Sequence, residues 1–135
     1  MKNDGKSAEA GFLARKLAKP GVVVERFWDA RDLRGRNGGR AVADFPKPSD
    51  FLVTEDGSIH YAEVKSTQNK NRFSFSQLEP AQRSACLRQA AVGGDYRIYV
   101  FSFELGAWFL LSATQFAAKV HDGQASITFE EMKPW

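Results

Sequence analysis

Apolar and β-branched residues flank a short polar turn in the middle of the chain, and this pattern predicts a β-hairpin. The dipeptide Asp56-Gly57 is typical of a two-residue turn in which both residues have positive φ. If it forms the turn, Glu55 faces Ser58 across the hairpin and, further along the same register, Asp50 faces Glu63. Like charges directly opposite each other destabilise a strand pair. The register therefore predicts that a nearby group offsets the repulsion between two carboxylates.

Side chains on the second strand alternate between the two faces of the sheet, so they divide into two sets. One set contains Ile59, Tyr61, Glu63 and Lys65, and the other contains His60, Ala62, Val64 and Ser66. Lys65 is thus predicted to lie beside the two carboxylates. Such a cluster is either a structural group of ion pairs or a site for a divalent cation. Carboxylates, water and a substrate phosphate are the ligands that Mg²⁺ prefers, and a lysine beside them can stabilise charge that develops on a phosphate.

Hydrophobic periodicity elsewhere predicts an α/β domain in which a mixed β-sheet is flanked by helices. The predicted helices span about 7–18, 80–92 and 112–120, and the predicted strands outside the hairpin span about 22–28, 96–103, 108–111 and, at the edge of the sheet, 125–131. Ser76 and Glu79 resemble a capping box for the second helix. The aromatic residues of the two strands within 96–111 are interpreted first as core and second as an oligomer interface.

Composition places the chain among single-domain globular proteins. Its 135 residues suffice for one core, and 43% of them are hydrophobic, which excludes global disorder. Cys86 is the only cysteine, so no disulfide forms within the chain. No apolar run reaches the roughly 18 residues that a membrane span needs, and no signal-peptide core follows the N-terminus. We therefore expect a cytoplasmic protein with no membrane partner. The two histidines, His60 and His121, are interpreted as structural.

Basic residues are concentrated in the part of the chain that contains the carboxylates. At or before Arg97 lie 17 of the 19 Lys and Arg residues, together with 12 of the 16 Asp and Glu residues. A polyanion-binding surface requires such a distribution. The glycine-rich segment at about 29–47 is either a solvated loop or a flexible basic arm that grips phosphates. The residues predicted to contact DNA are Arg31, Arg34, Arg36 and Arg40 in this arm, and Lys70 and Arg72 after the hairpin.

An acid, a short strand and turn, and then Glu-Xaa-Lys resemble the signature of the PD-(D/E)XK nuclease superfamily. Here the signature consists of Asp50 and Glu63-Val64-Lys65, with Ser49 where many members have proline. Two further features resemble Holliday-junction resolvases of the archaeal and RecU-like types. They are Glu9 on the first helix after a short glycine-containing N-terminus, and Gln82 on a helix that follows a Phe-Ser-Phe stretch. Without the resemblance, Glu9 is equally well a first-turn glutamate favoured by the helix dipole.

The resemblance implies a restriction-endonuclease-like core and a role for each of these residues. Asp50, Glu63 and the Val64 carbonyl would hold Mg²⁺, for which Mn²⁺ is expected to substitute. Lys65 would orient the attacking water. Glu9 would support a second ion or the proton transfer, and Gln82 would position substrate or water.

The resulting expectation is a single nuclease domain over residues 1–135 that hydrolyses DNA phosphodiesters with Mg²⁺. A structure-selective endonuclease that resolves four-way junctions in DNA recombination and repair, acting as a homodimer, is the leading hypothesis. One alternative is another repair or restriction-type nuclease with the same fold, since a fold does not fix a substrate. The other alternative is a non-catalytic nucleic-acid-binding protein that keeps the scaffold.

Overall fold

The computed structural model describes residues 5–28 and 46–135, so most of the predicted basic arm lies outside the described residues. Three α-helices lie in this part of the chain: α1 (Gly5–Leu17), α2 (Pro80–Ala91) and α3 (Ala113–His121). The strands are β1 (Val22–Arg26), β2 (Phe51–Glu55), β3 (Ser58–Thr67), β4 (Arg72–Ser74), β5 (Tyr96–Ser102), β6 (Ala107–Ser112), β7 (Ser126–Thr128) and β8 (Lys133–Pro134). No helix in these ranges is long and apolar enough to cross a membrane.

Six strands form a mixed sheet in the order β1-β2-β3-β5-β6-β8. Strands β3 and β5 pair in parallel, and the other neighbours pair antiparallel. A parallel pair needs a crossover connection, usually a helix, and here the connection contains α2. The predicted α/β class, a mixed β-sheet flanked by helices, is confirmed.

The predicted hairpin register is confirmed residue by residue. Asp56 has φ of 53° and Gly57 has φ of 78°, as a type I′ turn requires. Glu55 pairs with Ser58, and the ladder continues in step to the pair of Phe51 and Ala62. The next positions in this register are Asp50 and Glu63. The turn chemistry therefore determines which two carboxylates meet at the far end of the hairpin.

Two apolar clusters cover the two faces of the sheet. The α1 side contains Phe12, Phe51, Ala62, Val64 and Tyr99, and the side of α2 and α3 contains residues such as Phe75, Tyr96, Ile98 and Phe116. His60 lies on the α1 side of β3, and its Nε2 is 3.1 Å from the Tyr99 hydroxyl. Burial lowers the pKa of His60 to about 4, so the ring is neutral at pH 7.

Two local predictions are wrong. Strand β7 does not extend the main sheet but pairs with β4 in a separate two-stranded sheet, and the edge strand beside β6 is β8. The capping box of α2 does not involve Ser76: Glu79 is the N-cap, and Gln82 at the third helical position completes the box. Ser74 instead caps a 3₁₀ turn, Phe75–Gln77, that precedes the helix. A Ser-Xaa-Xaa-Glu pattern thus marked the approach to the helix rather than its first turn.

A buried ion pair fastens α1 to the turn end of the hairpin. Lys16 is only 3% exposed, and its Nζ lies 2.8 Å from Glu55 Oε1. The same ammonium faces the rings of Tyr99 and Trp135 at 5.1 and 5.4 Å. The hydrogen bond from Lys16 lowers the pKa of Glu55 to about 2. Lys19 contacts the second carboxylate oxygen at 3.2 Å.

Replacing Glu55 with glutamine should destabilise the protein, because it leaves the buried Lys16 ammonium without a counter-charge. Breaking a buried pair in this way costs about 3 kcal/mol of unfolding free energy, which urea denaturation at neutral pH would measure. Glu25→Gln on the exposed part of β1 is the matched control and should change little. The folded pKa of Glu55 lies below its unfolded value, so the pair stabilises above about pH 4.3. The difference between wild type and Glu55→Gln should shrink as pH falls through the folded value; an unchanged difference would contradict this account.

Candidate active site

A cleft of about 320 Å³ opens at the end of the hairpin that lies away from its turn. The cleft sits where β3 runs under the first turn of α1, and a glutamine from the 3₁₀ turn completes it. Its lining residues are Gly5, Glu9, Asp50, Glu63, Val64, Lys65, Ser66 and Gln77. The structure thus brings together five of the residues singled out from the sequence, namely Glu9, Asp50, Glu63, Val64 and Lys65.

Asp50 is held firmly at the entrance to β2. Its Oδ2 accepts a hydrogen bond of 2.9 Å from the Val64 backbone N–H, across the hairpin. The buried Ser49 hydroxyl donates to the Phe51 carbonyl at 2.9 Å, and the Tyr96 hydroxyl donates to the Pro48 carbonyl at 2.6 Å. These bonds fix the backbone on both sides of the aspartate. Serine before the acid therefore does not loosen the hairpin entry.

Glu63 is the most deeply buried acid of the cleft, with 2% of its surface exposed. Its Oε2 lies 3.3 Å from Lys65 Nζ. Its Oε1 is the one buried side-chain N or O atom in the described part of the chain without a hydrogen-bond partner. Burial first, and then the nearby Asp50 carboxylate, hold the pKa of Glu63 well above its usual range. A buried carboxyl with an unsatisfied oxygen is a costly arrangement that a cation would relieve.

Two lysines approach the pair of carboxylates from different elements. Lys65 lies two residues after Glu63 on β3, as predicted, and its side chain is 21% exposed. Lys47 comes from the segment before β2, and its Nζ is 3.2 Å from Asp50 Oδ1. Burial lowers the pKa of Lys47, but the attraction of Asp50, with smaller contributions from Glu63 and Glu9, raises it above the ordinary value. Sequence patterns had placed Lys47 in the basic arm rather than in the cleft.

Glu9 lines the cleft but already has a partner. Its Oε1 lies 2.7 Å from Arg26 Nη1, and both side chains are partly exposed. In the described residues, no group of three or more His, Cys, Asp and Glu side chains lies close enough together to hold a metal ion. The acids that could hold a first metal ion are therefore Asp50 and Glu63. Glu9 does not join them in a three-residue group. The role of Glu9 toward a second ion stays a prediction.

The glutamine that reaches the cleft is Gln77, not the one singled out from the sequence. Gln77 Nε2 donates a 2.9 Å hydrogen bond to the Ser66 carbonyl, directly after Lys65. Gln82 is buried one turn further on, where its Oε1 accepts the Glu79 backbone N–H at 2.8 Å. The side-chain amide of Gln82 thus belongs to the N-terminal cap of α2, and Gln82 is not among the residues that line the cleft. No sequence pattern had singled out Gln77, which lies at the end of the short 3₁₀ turn.

The residues predicted to contact DNA are spread over different parts of the molecule. Arg31, Arg34, Arg36 and Arg40 lie outside the described residues, so their role stays a prediction. Lys70 is exposed on the loop after β3 and lines a different groove, beside β6 and β8. Arg72 begins β4, and its Nη1 is 3.4 Å from the Ser126 hydroxyl. Neither of these two residues lines the carboxylate cleft.

The donor chemistry of the cleft fits a divalent cation such as Mg²⁺. Asp50 and Glu63 supply carboxylate oxygens, and Glu63 Oε1 has no partner in the described protein. Mg²⁺ is usually held by one or two carboxylates and completes its shell with water and phosphate. Two carboxylates in an open cleft match that preference better than they match a closed metal cage.

The mixed sheet and its flanking helices form an α/β domain with a restriction-endonuclease-like fold, and the acids lie at the end of its hairpin. The chain is similar to Hjc from Archaeoglobus fulgidus, a Holliday junction resolvase from an archaeal hyperthermophile. That likeness has a TM-score of 0.50 at 15% sequence identity, and it covers 82% of this chain and 78% of the resolvase. No protein-family model and no curated protein sequence matches the chain. The likeness in structure therefore supports the restriction-endonuclease-like core that the sequence motifs predicted.

Proposed function

We propose that this protein is a Mg²⁺-dependent endodeoxyribonuclease that hydrolyses phosphodiester bonds. The observation that carries the proposal is the buried Asp50–Glu63 pair at the open end of the hairpin, with Lys65 beside it and Glu63 Oε1 unsatisfied. A purely structural ion-pair cluster would satisfy its buried oxygens within the protein. The shared nuclease fold supports the proposal independently of these contacts.

Asp50 and Glu63 would hold the ion, together with the Val64 carbonyl, which lies between Glu63 and Lys65 on β3. Once bound, Mg²⁺ would supply Lewis-acid stabilisation of the negative charge that builds up on the phosphate. Lys65 would donate a hydrogen bond to the attacking water or to a phosphate oxygen, because it lines the same cleft as the two acids. Gln77 would keep the end of β3 in place through its bond to the Ser66 carbonyl.

Among DNA substrates, the proposal favours the four-way junction, and with it a homodimer. One chain carries one Asp50–Glu63–Lys65 site, whereas resolving a junction into two duplexes requires two cuts. A twofold dimer supplies two sites in matching orientation, and twofold dimers are the commonest soluble oligomers. The similarity in fold to a Holliday junction resolvase is what directs the proposal to this substrate.

A cleavage panel tests the substrate proposal directly. Labelled four-way junction, flap, single-stranded and linear duplex DNA would be incubated with the protein and Mg²⁺, with EDTA as the metal-free control. We expect paired cuts near the centre of the junction, little cleavage of the linear duplex, and a dimer mass by light scattering. A monomer that cuts all forms equally would leave a general repair or restriction-type nuclease. Metal-dependent binding without cleavage of any form would leave a non-catalytic nucleic-acid-binding protein.

A further inference from the structure

The segment before β2 brings a second ammonium group to the carboxylate pair. Lys47 Nζ lies 3.2 Å from Asp50 Oδ1, and its side chain is 22% exposed. Lys65 Nζ lies 3.3 Å from Glu63 Oε2. Each of the two carboxylates therefore has its own ammonium partner. The proposed chemistry uses Lys65 but gives no role to Lys47.

Lys47 occupies the side of Asp50 that a metal ion needs. Asp50 Oδ2 is committed to the Val64 N–H at 2.9 Å, and Oδ1 is the oxygen that Lys47 contacts. A divalent ion on Asp50 would repel an ammonium at this distance about twice as strongly as a monovalent ion would, because Coulomb energy scales with charge. The bound ion and the Lys47 ammonium would therefore compete for Asp50 Oδ1.

The backbone around Lys47 keeps the ammonium near the cleft. Pro46 and Pro48 flank the lysine, and each proline fixes its own φ. The Tyr96 hydroxyl holds the Pro48 carbonyl at 2.6 Å. A lysine anchored in this way can swing its side chain away from Asp50 without moving its backbone. It remains close enough to return when the metal leaves.

We propose that Lys47 is a tethered counter-ion, which neutralises Asp50 in the metal-free protein and is displaced when a divalent cation binds. The inference rests on the metal site put forward under Proposed function and deepens it. It makes Lys47 a residue that sets metal affinity and supports the metal-free fold, not a catalytic residue. Metal binding then requires the exchange of one cation for another, so the carboxylate pair keeps a cation partner throughout.

The test is Mn²⁺ and Mg²⁺ binding to the DNA-free protein by isothermal titration calorimetry. Lys47→Met removes the ammonium but keeps a long side chain. This variant should bind metal about tenfold more tightly, because the metal ion no longer has to displace an ion pair of modest strength. Lys47→Arg keeps a positive charge and should stay close to wild type. Lys133→Met on β8, at the opposite edge of the sheet from β1, makes the same change in net charge and should not alter metal affinity.

Thermal unfolding supplies a second readout that needs no catalysis. In EDTA, Lys47→Met should unfold at a lower temperature than wild type, since the carboxylates lose one counter-ion, and saturating Mn²⁺ should raise its melting temperature by more than it raises that of wild type. Equal metal affinity for wild type and Lys47→Met, within twofold, would overturn the tethered counter-ion while the metal site stands. Tight binding by Lys47→Arg would also overturn it, because charge would then not be the cause. Absence of metal binding in both wild type and Lys47→Met would overturn this inference together with the metal site.

Discussion

Glu63→Gln and Asp50→Asn are each expected to abolish Mg²⁺-dependent DNA cleavage, with a loss of at least about 1000-fold. Each change removes one of the two carboxylates in the proposed coordination set, and metal-ion stabilisation of the reacting phosphate is worth several kcal/mol. Calorimetry with Mn²⁺ should show that metal binding is lost in parallel. Glu25→Gln, an exposed change on β1, is the control. Cleavage that survives in both site variants would remove the assignment of the metal site.

Glu63→Gln also tests the burial of the Glu63 carboxyl, through the pH dependence of the free energy of unfolding. The pKa of Glu63 is raised in the folded state, so the folded protein binds more protons than the unfolded chain above about pH 4.3. The stability of the metal-free wild type should therefore fall as pH rises above that value. Glu63→Gln carries no ionisable group at this position and should show a weaker decline. Denaturation in EDTA at a series of pH values would measure the difference, and a steeper decline in the variant would contradict the buried-carboxyl account.

Lys65→Ala is expected to lower the rate of cleavage by about 100- to 1000-fold while leaving DNA affinity within a few-fold of wild type. The reason is that its ammonium would act on charge that develops during the reaction, and such interactions are felt in the rate more than in ground-state binding. Single-turnover cleavage would give the rate, and binding in Ca²⁺ would give the affinity. Lys133→Ala is the matched control.

Two patterns of result would reassign Lys65. If affinity and rate fell by the same factor, the lysine would be an anchor for a backbone phosphate and not part of the chemistry. If neither changed, the contact of 3.3 Å between Lys65 and Glu63 would have only a structural role. Lys65→Arg distinguishes these cases further, since a guanidinium keeps the charge but differs from an ammonium in shape and donor geometry.

The hairpin shows why part of this site could be predicted from sequence. A type I′ turn needs positive φ at two consecutive residues, and Asp56-Gly57 is one of the few dipeptides that accept this readily. Once the turn is known, alternation and pairing fix the positions of Asp50, Glu63 and Lys65 without further information. These are local rules with short reach along the chain. They led to the correct register and to the correct cluster of side chains.

Lys47 and Gln77 show why the rest could not be predicted in the same way. Both enter the cleft from irregular segments, where no periodicity fixes the direction of a side chain. Lys47 appeared to belong to a run of basic residues, and only its contact with Asp50 distinguishes it from that run. Gln82 was favoured by resemblance, yet it completes the cap of α2 while Gln77 takes the position at the cleft. The pairing of β7 with β4 could not be predicted for a similar reason. Strands of three residues are too short to show a hydrophobic periodicity that indicates their partner.

The register of the β2–β3 hairpin has a consequence for how such sites tolerate change in the course of evolution. Inserting one residue into β3 between the turn and Glu63 would turn Glu63 and Lys65 to the opposite face of the sheet, where Val64 now packs on the α1 side. Lengthening both strands by equal amounts would instead preserve the meeting of the two acids while changing their separation in the sequence. The number of residues between the aspartate and the Glu-Xaa-Lys triplet is then free to drift between related chains, provided that it drifts symmetrically about the turn. Distant relatives would accordingly be found more readily by counting outward from a turn dipeptide than by searching for acids at a fixed spacing.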